Sequence, residues 1–156
     1  MATVKRFEEL KAWQEARVLV RSVYAAFKGC GDSGFTDQIQ RASVSVLSNI
    51  AEGFESGTRQ EFVNYLYIAK ASCGEVRAQL YAAYDIGYID AVTFKDLKCK
   101  AELCSKLIAS FAKGVKNSPY DGVQRKREQT EADKEVAAIF EAGRTAQMEA
   151  IRRGKQ

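Results

Sequence analysis

The sequence predicts an all-α protein: an antiparallel up-down four-helix bundle followed by a C-terminal helical extension. Three observations carry this. Apolar residues recur at three- and four-residue steps over most of the chain, the spacing that gathers them on one face of a helix. Proline occurs once, at Pro119, so the preceding stretch lacks the residue that breaks helices. Alternating β-branched segments bounded by turn residues, the mark of strands, are not evident. A chain of 156 residues has room for one domain and an appendage. The expected organisation is a bundle over residues 1–119, a polar linker over 120–130 and a helical appendage over 131–156.

Helix one is expected from Phe7 to Lys28, with Leu10, Trp13, Ala16, Val20, Val23 or Tyr24 and Phe27 on its apolar face. Gly29-Cys30-Gly31-Asp32-Ser33-Gly34 ends it. This glycine-rich connector has no following Gly-Lys-Ser/Thr and no preceding strand, so it reads as a turn rather than a phosphate-binding loop. Helix two should start after Phe35, with Thr36 or Asp37 supplying a side-chain oxygen to the first free amides, and stop near Gly53. Ile39, Ala42 or Ser43, Val46, Ile50 and Gly53 fall on its packing face. Gln38, Arg41, Ser45, Ser48 or Asn49 and Glu52 fall on an adjacent polar one.

Thr58 and Glu61 form a Thr-x-x-Glu capping box at the start of helix three. Phe62, Leu66 or Tyr65, Ala69, Cys73, Val76, Leu80 and Ala83 make its seam up to Gly87. Asp90 can cap helix four, where Phe94, Leu97, Ala101, Cys104, Ile108, Phe111 and Val115 step three and four by turns until Ser118-Pro119. Short connections make helices two, three and four antiparallel neighbours. A turn centred near Tyr88-Ile89 then sets Cys73 opposite Cys104 as a layer of buried thiols. Beyond Pro119 the chain turns polar, with the cluster Arg125-Lys126-Arg127. A thin apolar face of Val136, Ile139, Phe140, Met148 and Ile151 suggests a fifth helix from about Glu131 to Arg153.

Composition narrows the function classes. There is no histidine, which removes the usual neutral-pH acid/base and the commonest metal ligand, and no nucleophile has an adjacent base. The four cysteines show no close Cys-x-x-Cys pair. The expectation is a non-enzymatic protein without metal or cofactor. No apolar run of membrane-spanning length or signal segment is present, so a cytoplasmic protein with no membrane partner is expected. A net charge of +4 neither demands nor excludes a nucleic-acid partner.

Three long matched strings give the chain a resemblance. They are Phe7, Leu10, Trp13 and Ala16; Gln38, Ile39, Arg41, Ala42, Ser45 and Asn49-Ile50-Ala51-Glu52-Gly53; and Phe62, Leu66, Ile68, Ala69, Ser72 and Glu75 followed by Ile86-Gly87-Tyr88-Ile89. Over about residues 7 to 117 the chain resembles the 23S rRNA-intervening-sequence protein family of small four-helix bundles. The segment after Pro119 has no counterpart. The resemblance implies a homopentameric ring or barrel and a nucleic-acid-binding role. A more distant similarity is to the accessory variability determinant of diversity-generating retroelements, which works with a reverse transcriptase and RNA.

Three surfaces are candidates for this role. Antiparallel pairing of helices two and three puts Arg41 near Ile68 to Ser72, within reach of Glu75 one turn further on, while Asn49 and Glu52 reach free backbone groups around the turn to Thr58; with Gln38 they form a structural polar network. A second stripe on helix three, Val63, Tyr67, Ala71 or Gly74, Ala78 and Tyr81, exceeds what one bundle needs and suits an oligomer interface. Lys95, Lys98, Lys106, Lys113 and Lys116 line helix four opposite its seam over about 30 Å and are the first candidates for RNA or DNA phosphate contact, with Arg17, Arg21 and Lys28 on helix one as a second set. The expected partners are a second copy of the chain and RNA or DNA; the alternative is an assembly scaffold for a protein such as a reverse transcriptase.

Overall fold

A computed structural model describes residues 4–118 together with Ala138 and Ile139. The chain divides into two compact units, residues 1–124 and 125–156. In the second, Ala138 and Ile139 are helical and exposed; the linker expected over 120–130 and the rest of the appendage lie outside the described residues.

In the first unit a 3-10 turn over Phe7–Glu9 precedes four helices: α1 (Lys11–Phe27), α2 (Ser33–Glu55), α3 (Arg59–Ile86) and α4 (Ala91–Lys116). Each helix packs on two neighbours, α1 on α2, α2 on α3, α3 on α4 and α4 on α1, so the four stand at the corners of a square. The bundle class, the helix order and the seam of α3 agree with the sequence, with Phe62, Leu66, Ala69, Cys73, Val76, Leu80 and Ala83 buried. On α4 Leu97, Ala101, Cys104, Ile108 and Val115 are buried as expected, whereas Phe94 and Phe111 are only half-buried at the edge of the core. On α2 both Ala42 and Ser43 are buried beside Ile39, Val46, Ile50 and Gly53.

The first helix departs from expectation. Leu10 takes an extended conformation between the 3-10 turn and α1, so the run from Phe7 is not continuous. The buried face of α1 is Ala12, Ala16, Leu19, Val23 and Phe27, with Trp13 and Val20 at its edge and Tyr24 exposed. The start of α2 is also earlier than expected. Asp32, not Thr36 or Asp37, is the cap, its Oδ1 accepting from the Phe35 amide at 2.9 Å. The reason is tertiary: Tyr88, in the loop joining α3 to α4, donates its hydroxyl to the other carboxylate oxygen at 2.8 Å. One residue thus starts a helix and ties two loops at the same end of the bundle.

The Phe35 amide and the Tyr88 hydroxyl hold the Asp32 carboxyl below its ordinary range. A carboxylate whose folded pKa is depressed stabilises above its unfolded value, about 3.9, and loses that contribution as pH falls through the lower folded value. Asp32→Ala is therefore expected to melt below wild type at pH 7, with the gap narrowing once the pH drops under about 4. A gap that is constant with pH, measured by thermal denaturation, would assign the loss to packing instead.

The ends of the bundle are aromatic and its waist is not. At one end rings meet in series by edge contacts: Trp13 with Phe7 at 5.2 Å, Phe7 with Phe54 at 6.5 Å, Phe54 with Phe62 at 5.9 Å and Phe62 with Phe111 at 5.5 Å between centroids. At the other, Phe35 joins Phe27 at 5.8 Å and Tyr88 at 5.4 Å. Gly87, at φ +88, closes α3 there; its amide reaches back to Ala83 and Tyr84, and the Tyr88 amide bonds Ala83 at 2.8 Å. Between the ends lie Ser45, Ser72, Cys73 and Cys104. Both buried thiols are free, and burial pushes each up to about 12.

Candidate nucleic-acid interface

The polar network forms from other partners than the sequence suggested. Ser45 and Ser72 share a hydrogen bond of 2.8 Å across α2 and α3, and the Asn49 amide donates to the Ser45 carbonyl at 2.8 Å and hydroxyl at 3.0 Å. Ser72 also donates to the Ile68 carbonyl at 3.1 Å. One turn from this contact, Arg41, four residues before Ser45, stands level with Val76, four residues after Ser72. Arg41 thus stands about a turn beyond the expected level of Ile68 to Ser72, and its side chain turns to solvent and pairs with Asp37 at 3.1 Å, while Glu75 accepts from Gln79 at 3.3 Å. Arg41 and Glu75 are not a pair. Gln38 and Glu52 are exposed. The turn to Thr58 is held by the Ser56 amide and hydroxyl on the Gly53 carbonyl and by the Thr58–Glu61 box, not by Asn49 or Glu52.

The second stripe of α3 divides. Val63 is buried in the core. One turn before it, Arg59 donates to the Ser118 carbonyl, which brings the end of α4 over that side. Tyr67 and Tyr81 are 52% and 45% exposed, and Ala71, Gly74 and Ala78 between them are exposed as well. Ile68, beside Tyr67, is 49% exposed. The outer face of α3 therefore presents small exposed residues between Tyr67 and Tyr81, and Tyr81 meets the Phe94 ring edge-on at 4.9 Å on the α4 side.

The lysines of α4 do not form one stripe. Lys98 lies over the Tyr81 ring at 5.3 Å and the Phe94 ring at 5.8 Å, 4.0 Å from Glu102, and its side chain is 30% exposed. Glu102 also meets Arg77 at 3.5 Å. Tyr84 stacks on Phe94 at 5.0 Å, so Lys98 belongs to an aromatic cluster that fastens α3 to α4. The sequence carries its signal, Tyr81 and Tyr84 three apart facing Phe94 and Lys98 four apart, but the three- and four-residue steps of α4 place Phe94 in the core seam alone. Lys95, Lys106, Lys113 and Lys116 are exposed. From Ser105 to Lys116 the helix holds three lysines and no acid. Arg17, Arg21 and Lys28 are exposed too. Arg17 and Arg21 border a surface depression with Glu8, Trp13, Gln14 and Val18, while Lys28 follows the last residue of α1.

No described helix is long and apolar enough to cross a membrane. No match is found among curated proteins. Among solved structures, a protein of unknown function from the S23 ribosomal protein family of Bacteroides thetaiotaomicron has the same fold, at a TM-score of 0.60 and 23% sequence identity, over 65% of this chain and 95% of that one. The family model for the 23S rRNA-intervening sequence protein matches residues 8–110, from the 3-10 turn to the last turns of α4. With the bundle and its helix order in agreement, the chain belongs to the 23S rRNA-intervening sequence protein family.

Proposed function

We propose that this protein is a non-enzymatic, cytoplasmic homo-oligomer that binds structured RNA or DNA through the charge of the nucleic-acid backbone. The observation that carries this reading is the acid-free half of α4, where Lys106, Lys113 and Lys116 stand exposed. Lysines on an outward helix face neutralise phosphates and release condensed counterions but carry no base code, so binding should be general and steeply salt-dependent. Repetition of the lysines around a ring would let weak contacts act together. The pentamer implied by the family resemblance is the assembly proposed, and its contact is the outer face of α3 around Tyr67, Ala71, Gly74, Ala78 and Tyr81.

Replacing Lys106, Lys113 and Lys116 together by glutamine is expected to lower affinity for duplex RNA and to reduce the slope of log K against log salt by about 3. Oligomer mass and melting temperature should stay unchanged. Binding measured by anisotropy across a salt series decides it. If wild type binds neither RNA nor DNA at low salt, or the triple variant binds equally well, these lysines only solvate the helix. The exposed face of α3 favours a second reading, an assembly scaffold for a protein partner such as a reverse transcriptase, which would then take its place.

A further inference from the structure

We infer that the depression on α1 around Trp13, Arg17 and Arg21 is a binding site for one unpaired nucleotide of a nucleic-acid strand, its base layered on the Arg17–Trp13 pair and its phosphate held by Arg17 and Arg21. The site rests on the nucleic-acid reading above and adds to it a contact that senses the base. Its floor is planar and apolar. The Trp13 ring is fixed edge-on by Phe7 at 5.2 Å, and the Arg17 guanidinium lies over it, 5.9 Å from the centroid. Val18, 40% exposed, continues that surface. Unpaired bases stack on both aromatic rings and guanidinium planes.

The charge around the floor suits an anion. Neither Arg17 nor Arg21 has an ion-pair partner among the described residues, whereas the nearby acids are engaged, Glu8 by Arg6 at 2.7 Å and Glu15 by Lys11 at 2.7 Å. Two guanidiniums one turn apart offer the forked donors that phosphate oxygens accept. Gln14 donates its amide nitrogen to the Glu8 carbonyl at 3.0 Å, which leaves its side-chain oxygen as an acceptor for an exocyclic amino group. A bare phosphate would use the arginines and leave the aromatic floor idle. A nucleotide uses both. The site is also open in the proposed assembly, because α1 and α3 occupy opposite corners of the square and make no contact.

Trp13 is the only tryptophan of the chain, so its emission reports on this site alone. At low salt the protein is titrated with a single-stranded RNA decamer and with an abasic ribose-phosphate decamer of the same length, following anisotropy for binding and tryptophan emission for the site. The base-bearing decamer is expected to quench Trp13 with the same midpoint as the anisotropy change, and the abasic one to bind without quenching. Arg17→Gln with Arg21→Gln should abolish the quench and weaken the base-bearing decamer by more than about tenfold, the loss of one stacked base together with its phosphate contact. The triple lysine variant should keep the quench at saturation. Binding without any change in Trp13 emission, or equal quenching by both decamers, would overturn the site and leave the function standing. Absence of all binding would overturn both.

Discussion

Phe62→Ala should remove about 4 kcal/mol from the free energy of unfolding, the range for truncating a fully buried phenylalanine whose cavity cannot collapse. Phe62 is 2% exposed and touches Phe54 and Phe111 by their edges, so its ring joins α2, α3 and α4 at one end of the bundle. Phe54 in turn meets Phe7. With Phe62 gone, both edge contacts are lost along with the buried area, and the N-terminal turn loses a support it does not itself touch. Denaturant unfolding should show the loss as a lower midpoint at unchanged slope. A cost under about 1.5 kcal/mol would mean that the neighbours close the gap, a repacking this end does not suggest.

Gly53→Ala should destabilise by about 2 kcal/mol, opposite in sign to what helix propensity alone gives. Alanine is favoured over glycine inside a helix by about 1 kcal/mol. Here a Cβ would lie 2.7 Å from the Tyr65 Cβ, 2.8 Å from Phe62 Cδ2 and 3.3 Å from the Phe62 carbonyl. The Tyr65 Cβ is anchored to backbone, so α3 itself must move away from α2, an overpacking cost of about 3 kcal/mol. Gly53→Val should be worse still. The combination Gly53→Ala with Phe62→Leu separates the terms: relief of the Phe62 clash recovers part of the cost, and the clash with Tyr65 persists. Stabilisation by Gly53→Ala would show that α2 and α3 are not so close.

These two residues also mark what the sequence allowed to be read. Gly53 lies on the predicted packing face of α2 and Phe62 heads the predicted seam of α3, because both follow from spacing along one helix. The Thr58–Glu61 box and the Asp90 cap are equally local and were legible for that reason. Arg41 shows where this ends. Its height against α3 follows from loop length only to within a turn, the direction of a long side chain depends on a rotation of 100° per residue, and Asp37 four residues away on the same helix offers a nearer carboxylate. The start of α2 was misplaced for a related reason. Asp32, Thr36 and Asp37 are all competent caps, and only Tyr88, fifty-six residues on, distinguishes Asp32. Lys98 reads as one of several solvated lysines until α3 places Tyr81 beside it. The surface of α4 could not be resolved without knowing its neighbour.

The thiols at the waist give the molecule a reporter of its own opening. Cys99 is exposed and Cys30 half-exposed, whereas Cys73 and Cys104 are buried and held in the protonated, unreactive form. An alkylating reagent therefore meets two classes of sulfur in a single chain. The first class reacts at the surface. The second reacts only when α3 and α4 part and water reaches the seam, so its rate follows the frequency of that event. Mass spectrometry of the labelled chain would count those partings without adding a probe or removing a side chain, and would distinguish fraying of the aromatic ends from separation of the helices themselves.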